Sequence, residues 1–249
     1  MKSALFKHRS IRKFRRTPIP AETLRDCLEA ATRASTCGNM QLYSLVVTRE
    51  EALRERLAPC HFNQPMVREA PCLVTVCADV HRFSMWCEQR EAEPAYDNFA
   101  WFLNASTDAL LAAQNFCIEA ELHGLGICIL GTTIYTAAEI ARILELPKGV
   151  IPLTTIVVGY PDESPVLTDR LPLEAVVHYE KYTDYTAAEI DELWAEREES
   201  AETKRLLEEN GLPNLARIFT ERRYVRRDNL AISQSYFALL KEKGFFNNN

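Results

Sequence analysis

The stretch KHRSIRKFRR, residues 7–16, is a dense basic cluster with a serine inside it, and it precedes a Pro-Ile-Pro turn and a predicted helix. Arg9 and Arg12 lie three residues apart with Ser10 between them. Two guanidinium groups and a hydroxyl at this spacing can reach one phosphate, a ligand that favours planar bidentate donors. Blocks of like charge are more often solvated faces, so the charge pattern alone leaves both interpretations open.

The segment that follows favours a ligand. A helix-like run leads into Ser-Thr-Cys-Gly-Asn-Met-Gln at residues 35–41, and this order of basic cluster, helix and turn resembles the nitroreductase family of flavoproteins. The resemblance implies that Arg9, Ser10 and Arg12 bind the phosphate and ribityl chain of FMN. It implies further cofactor contacts from His8, Ser35, Thr36, Cys37, Asn39 and Gln41. The motif His-Arg-Ser-Ile-Arg is similar more narrowly to the NADPH-using, oxygen-insensitive major nitroreductase and flavin reductase group.

Two further segments match cofactor contacts of that group. Gln64, in His-Phe-Asn-Gln-Pro, matches a glutamine that hydrogen-bonds the pyrimidine edge of FMN, where an amide can both donate and accept. The run Leu130, Gly131, Thr132 matches the turn whose backbone faces the isoalloxazine ring. Close backbone approach or positive φ accounts for Gly124, Gly126 and Gly131, and a glycine needed only by the turn is the alternative at Gly131.

The remaining predicted contacts lie towards the C-terminus. Arg170, in Leu-Thr-Asp-Arg-Leu-Pro, matches an arginine at the FMN phosphate, but Thr168 stands where the family carries a lysine, which removes one positive charge. Arg222 and Arg226 belong to a second basic group, which corresponds in the closer subgroup to a mobile segment that meets the NADPH phosphate. A solvated loop is an equally good interpretation of these arginines.

Hydrophobic periodicity predicts short buried strands that alternate with helices. The predicted strands are 44–48, 72–78, 126–130 and 154–159, and the predicted helices are 21–34, 50–57, 104–123 and a polar helix within 184–210. Helix 104–123 is apolar nearly all round, which is typical of a central, buried helix. The resemblance implies an α+β fold, a three-layer α/β/α arrangement with a central mixed, mainly antiparallel sheet around that helix. We expect an FMN-binding core at residues 1–175 and a C-terminal helical extension of the same domain at 176–249.

Composition limits the kind of protein. A chain of 249 residues can form one large domain that encloses a cofactor. A net charge of -6 and a pI near 5.5 argue against general nucleic-acid binding. The sequence has no apolar run of about 20 residues and no signal-peptide pattern, so we predict no membrane association and a cytoplasmic location. Eight cysteines without a CxxC motif, and scattered histidines, predict free buried thiols and no metal site.

The resemblance implies an FMN-dependent oxidoreductase that passes a hydride from NADPH or NADH through the flavin to nitroaromatics, quinones or related small electron acceptors. The flavin carries this chemistry, so no catalytic side chain is expected. The family forms intertwined homodimers, which predicts a second copy of the chain as partner. A flavin-binding protein without turnover, favoured by Thr168 and by Ile134 in place of an arginine, and a flavin-cleaving relative on the same fold are the alternatives.

Overall fold

The computed structural model of the chain describes residues 4–247. Within this range, four strands form one antiparallel sheet in the order β1-β2-β4-β3. The strands are β1 (Tyr43–Thr48), β2 (Cys72–Asp79), β3 (Gly126–Leu130) and β4 (Val150–Gly159). Each predicted strand is present, and β4 begins four residues before its predicted start. Ser10 adds a short parallel pairing to Ile127 at the β3 edge, so the sheet is mainly antiparallel.

Helices precede, separate and follow these strands. In chain order they are α1 (Ala21–Thr32), α2 (Glu51–Leu57), α3 (Met66–Glu69), α4 (His81–Glu88), α5 (Phe99–Leu122), α6 (Thr132–Tyr135), α7 (Ala137–Ile143), α8 (Ala187–Glu199), α9 (Ala201–Asn210), α10 (Leu215–Ile218) and α11 (Arg226–Glu242). Short 3-10 turns occupy Ala4–Lys7, Cys37–Asn39, Ala58–His61 and Leu173–Ala175, and a π-helical turn occupies Phe219–Arg223.

The described chain divides into two compact units, one reaching Val166 and resuming at Ile232, the other Leu167–Ala231. In the first unit, α1 and α5 pack on one face of the sheet, and α2, α3, α6 and α7 pack on the other. Strand β2 is buried along its whole length because both of its faces are covered. The division predicted from the sequence, a cofactor-binding core at residues 1–175 and an extension at 176–249, stays a prediction.

Helix α5 begins at Phe99, five residues before its predicted start, because the Asn98 side chain accepts a hydrogen bond from Trp101 N at 3.3 Å and caps the helix. One face is buried against the sheet and α1. The other face exposes Leu103, Leu110 and Leu111 to between 44% and 51%. The apolar residues of this helix therefore lie on two faces: one packs in the core, and the other is an exposed apolar stripe.

The second unit is made of short helices. The sequence predicts one polar helix within 184–210, and this prediction is wrong because Ser200 separates α8 from α9. Ser200 has an extended backbone, with ψ of 147°, and its Oγ accepts a hydrogen bond from Thr203 N at 3.1 Å. A serine that offers the backbone such a bond favours a helix start over a helix interior.

Two glycines fix the basic segment beside the sheet. Ile11 N donates to Ile127 O at 2.9 Å, and a Cβ at Gly126 would lie 2.6 Å from Ile11 Cγ1. Gly126 pairs with Gly159, where a Cβ would lie 2.6 Å from Pro71 Cδ. The N-terminal segment can therefore lie close to β3 and β4 only because neither glycine has a side chain.

Along residues 4–247, we find no helix of the length and apolar character needed to cross a membrane.

Gly126→Ala should destabilise the protein by about 1–3 kcal/mol, because the added methyl group overlaps the buried Ile11 side chain. Gly131→Ala is the matched control, since Gly131 has φ of -63° and no described heavy atom lies within 4 Å of a Cβ placed there. The control should stay within about 0.5 kcal/mol of the parent protein. Urea unfolding of the cofactor-free chain measures both changes, and equal losses would contradict the packing account.

Candidate cofactor site

The turn at residues 35–41 has an unusual backbone. Gly38, Asn39 and Gln41 have positive φ values of 54°, 56° and 50°. Glycine adopts this conformation freely and asparagine tolerates it, whereas it costs a glutamine about 1 kcal/mol or more. The turn keeps this shape because hydrogen bonds hold it at its start and at its end.

Asp108 of α5 holds the start of the turn. Its buried carboxylate accepts hydrogen bonds from Thr36 Oγ1 at 2.5 Å, Cys37 N at 2.9 Å and Leu42 N at 3.3 Å. Thr36 Oγ1 itself accepts from Gln41 N at 2.9 Å. These donors compensate the charge that α5 buries. Asp108 is not among the site residues predicted from the sequence, although an acid between apolar residues of a helix signals a buried hydrogen-bonding role.

Arg82 of α4 holds the end of the turn. Its guanidinium donates to the Gln41 carbonyl and, at 3.2 Å, to the Tyr43 carbonyl, and it lies 3.7 Å from the Asp79 carboxylate. Within the turn, Gln41 Nε2 donates to Asn39 Oδ1 at 2.7 Å. Asn39 and Gln41, whose side chains are predicted to contact the cofactor, are therefore hydrogen-bonded to each other. No sequence pattern identified Arg82.

The basic segment lies in a different environment. His8 Nδ1 is 2.6 Å from Glu121 Oε1, near the C-terminal end of α5. Arg9 lines a cavity of about 260 Å³ together with Lys7, Glu121 and Glu163. Among residues 4–247, the buried Arg9 Nε atom has no hydrogen-bond partner. An unpaired buried donor is costly, so this guanidinium is suited to an anionic group brought by a ligand.

Arg12 lies on the other side of the same segment. Ile11 packs onto Gly126, and side chains alternate along an extended backbone, so Ser10 and Arg12 face away from the cavity that Arg9 lines. Glu163 Oε1 accepts from Arg12 N at 2.5 Å and fixes the backbone there. A joint contact of Arg9 and Arg12 with one phosphate stays a prediction.

Hydrogen bonds bring the Gln64 segment and the Gly131 turn together. His61 Nδ1 lies 2.9 Å from Thr132 Oγ1, and Thr136 Oγ1 donates to Cys60 O at 2.7 Å. Gln64 is half-buried, and Leu130 is buried at the end of β3. The space above Gly131 is open on the described chain, because a Cβ there would meet no heavy atom within 4 Å. His61, which makes one of these contacts, is not among the residues predicted from the sequence.

The predicted residues of the second unit are exposed. Arg170 donates to Thr168 Oγ1 at 2.7 Å and to Asp169 O at 2.8 Å. Arg222 lies within the π-helical turn Phe219–Arg223, and Arg226 begins α11. The assignment of Arg170 to FMN and of Arg222 and Arg226 to NADPH stays a prediction.

The cysteines are all free, and Cys37 is the exposed one. Burial raises the pKa of the Cys72 and Cys77 thiols to about 12, which makes them poor nucleophiles at neutral pH. In the described part of the chain, no group of three or more His, Cys, Asp or Glu side chains is arranged to hold a metal ion. Cys37 N donates to Asp108, so this thiol reports on the anchored turn.

The turn and the basic segment are anchored far apart on one helix. The turn is fixed at Asp108 and the basic segment at Glu121, thirteen residues further along α5. At 1.5 Å per residue this is a separation of about 20 Å along the helix axis. The predicted contacts therefore form two half-sites in one chain, one at the turn and one along β3 and the Gly131 turn.

These predicted half-sites lie on an α+β core, a sheet enclosed by helices, and comparison with known proteins identifies the class of this core. The family model described as "Nitroreductase family" matches residues 5–160, and the chain belongs to the nitroreductase family. The family and the fold class predicted from the sequence are thereby confirmed.

Individual relatives agree with this assignment. An NADPH-dependent oxidoreductase from Staphylococcus aureus is 34% identical over 180 residues, 71% of each chain. An FMN reductase (NADPH) from Bacillus subtilis is 32% identical over 180 residues, 72% of each chain. A crystal structure of a protein from Bacteroides fragilis described as an oxidoreductase superimposes with a TM-score of 0.96 at 48% identity, over 98% of this chain and 99% of that one.

Asp108→Ala should destabilise the protein by about 2–4 kcal/mol, because it leaves the Cys37 and Leu42 amide groups without their acceptor. Asp108→Asn should cost less, since one amide oxygen can still accept. The control Asp26→Ala removes a partly exposed carboxylate from α1, 3.6 Å from His123 Nε2, and should have little effect because pairs at the surface contribute little. Urea unfolding gives the energies, and the rate of Cys37 labelling by Ellman's reagent reports on the turn. Unchanged stability and labelling in Asp108→Ala would refute the anchoring role.

Proposed function

We propose that the chain is an FMN-dependent oxidoreductase that uses NADPH, or NADH, to reduce small electron acceptors such as quinones and nitroaromatics. The observation that carries the proposal is family membership across residues 5–160, the range that contains both half-sites. The named activities of relatives support it, because one is an FMN reductase (NADPH) and another is an NADPH-dependent oxidoreductase. We also place the enzyme in the cytoplasm, where its nucleotide donor is supplied.

The residues present fit FMN. The buried Arg9 Nε atom, which has no partner among residues 4–247, suits a phosphate, and Lys7 lines the same cavity. Arg12, on the other side of the segment, would place its positive charge towards a different part of the cofactor. The open space above Gly131 suits a flat ring that approaches the backbone closely. The half-buried Gln64 amide can donate and accept at the alternating polar edge of a flavin.

Bound FMN would supply the redox chemistry, taking a hydride from the nicotinamide and passing electrons to the acceptor. The protein holds the cofactor and sets its electrostatics. Positive charge from Arg12 and the Gln64 amide would stabilise negative charge on the pyrimidine part of the ring. We assign no side chain as nucleophile or general acid, so substrate choice depends on the shape of the pocket.

We propose that the enzyme is a homodimer in which the residue 35–41 turn of one protomer completes the site of the other. The turn and the basic segment are about 20 Å apart along α5, which separates the predicted contacts within one chain. The exposed stripe of α5 containing Leu103, Leu110 and Leu111 gives a second copy an apolar surface to cover. Twofold-symmetric dimers, in which the same surface of both copies meets, are the commonest homo-oligomers.

Replacing Leu110 and Leu111 together by aspartate should convert the dimer to a monomer and raise the FMN dissociation constant by about tenfold or more, because the stripe would no longer be apolar. Light scattering after size exclusion measures the mass, and flavin fluorescence measures binding. Both leucines are exposed in the chain, so circular dichroism should show an unchanged fold. A variant that remains dimeric would argue against this interface.

The purified protein should be yellow or bind added FMN, and anaerobic NADPH should bleach the flavin absorbance. A quinone or nitroaromatic should then restore the band, and a parallel titration with NADH gives the nucleotide preference. A bound flavin that neither nucleotide reduces would favour the flavin-binding protein without turnover. Flavin fragments among the products would instead favour a flavin-cleaving enzyme. Failure to bind FMN at all would refute the proposed function.

A further inference from the structure

His61 is a buried histidine that no predicted contact uses. It ends the 3-10 turn Ala58–His61 and has no exposed surface. Burial lowers its pKa to about 4, so the ring is neutral at physiological pH. A neutral imidazole has one donor and one acceptor nitrogen, and each needs a partner when water is excluded.

The two ring nitrogens are not equally satisfied. His61 Nδ1 lies 2.9 Å from Thr132 Oγ1, a hydroxyl that can serve as donor or acceptor. Within residues 4–247, the buried Nε2 atom has no hydrogen-bond partner. An unpaired buried nitrogen costs stability, and an apolar side chain would fill the same space without that cost. The contact of Nδ1 with Thr132 is therefore the described side-chain hydrogen bond of this ring.

That bond joins the two segments beside the proposed flavin ring. Phe62 and Asn63 follow His61 with left-handed φ values of 54° each, and they lead directly to Gln64. Thr132 follows Gly131 at the start of α6. Gln64 N also donates to His61 O at 3.1 Å. His61 thus contacts Gln64 through its backbone and Thr132, next to Gly131, through its ring.

We propose that His61 is a positioning residue, whose hydrogen bond to Thr132 sets the spacing between the Gln64 amide and the open face above Gly131. The inference rests on the proposed function, since it assigns these two groups to one flavin. The bond from Thr136 Oγ1 to Cys60 O, at 2.7 Å, is a second connection between the same segments and limits how far they can separate without His61.

Variants at both ends of the bond test the role. Thr132→Val removes the hydroxyl and keeps the shape, and its matched control Thr132→Ser keeps the hydroxyl. His61→Leu removes both ring nitrogens, and its control His61→Asn retains a polar group near the Nδ1 position. Loss of a neutral hydrogen bond should raise the FMN dissociation constant of the cofactor-free protein about five- to tenfold, and the controls should stay within about twofold.

Two measurements distinguish a positioning role of the His61–Thr132 hydrogen bond from a contribution to fold stability alone. The flavin absorbance bands should shift in Thr132→Val and not in Thr132→Ser. The double variant His61→Leu with Thr132→Val should bind FMN as either single variant does, because both lose the same bond. Thermal unfolding of the cofactor-free proteins checks that each variant folds.

The outcomes are distinct. If the parent protein binds FMN and Thr132→Val binds it equally well with an unchanged spectrum, the positioning role is overturned and the proposed function stands. Additive losses in the double variant would also overturn it. If the parent protein binds no FMN, both the proposed function and the positioning role fail.

Discussion

A buried carboxylate on a largely apolar helix is the constraint on which the candidate site depends. Helix α5 cannot bury Asp108 without hydrogen-bond donors, and the donors come from one turn of the chain, through Thr36, Cys37 and Leu42. The same bonds hold the left-handed residues of that turn, whose backbone would otherwise relax. The hydrogen bonds to Asp108 thus offset two free-energy costs: burial of its carboxylate and the left-handed backbone of the turn.

Periodicity and composition predicted the strands, the main helices and the buried cysteines, because these depend on local apolar patterns. The start of α5 and the break at Ser200 were missed because each is decided by one side chain that caps a helix. Asp108, Arg82 and His61 were missed for another reason. Their partners are distant in sequence, as with Asp108 and Thr36, so no spacing along the chain encodes the contact.

The glycines near β3 show how one residue type serves different physical needs. Sequence analysis explained Gly124, Gly126 and Gly131 by close approach or positive φ. In the structure these glycines meet different requirements. Gly124 has a positive φ of 74°, whereas Gly126 leaves room for the Ile11 side chain. Gly131 meets neither need within the described chain, since its φ is -63° and its Cβ position is open. A contact between the Gly131 backbone and a ligand therefore stays a prediction.

The two half-sites differ in how they depend on the proposed dimer. The segment that leads to Gln64 is hydrogen-bonded to the segment after Gly131 within one protomer, through His61 with Thr132 and through Cys60 with Thr136. The 35–41 turn is fixed to α5, whose apolar stripe is exposed on the isolated chain. In the proposed dimer, flavin affinity therefore depends on how two α5 helices meet. Because a ligand held by both protomers binds only the assembled form, FMN and the dimer would stabilise each other by mass action.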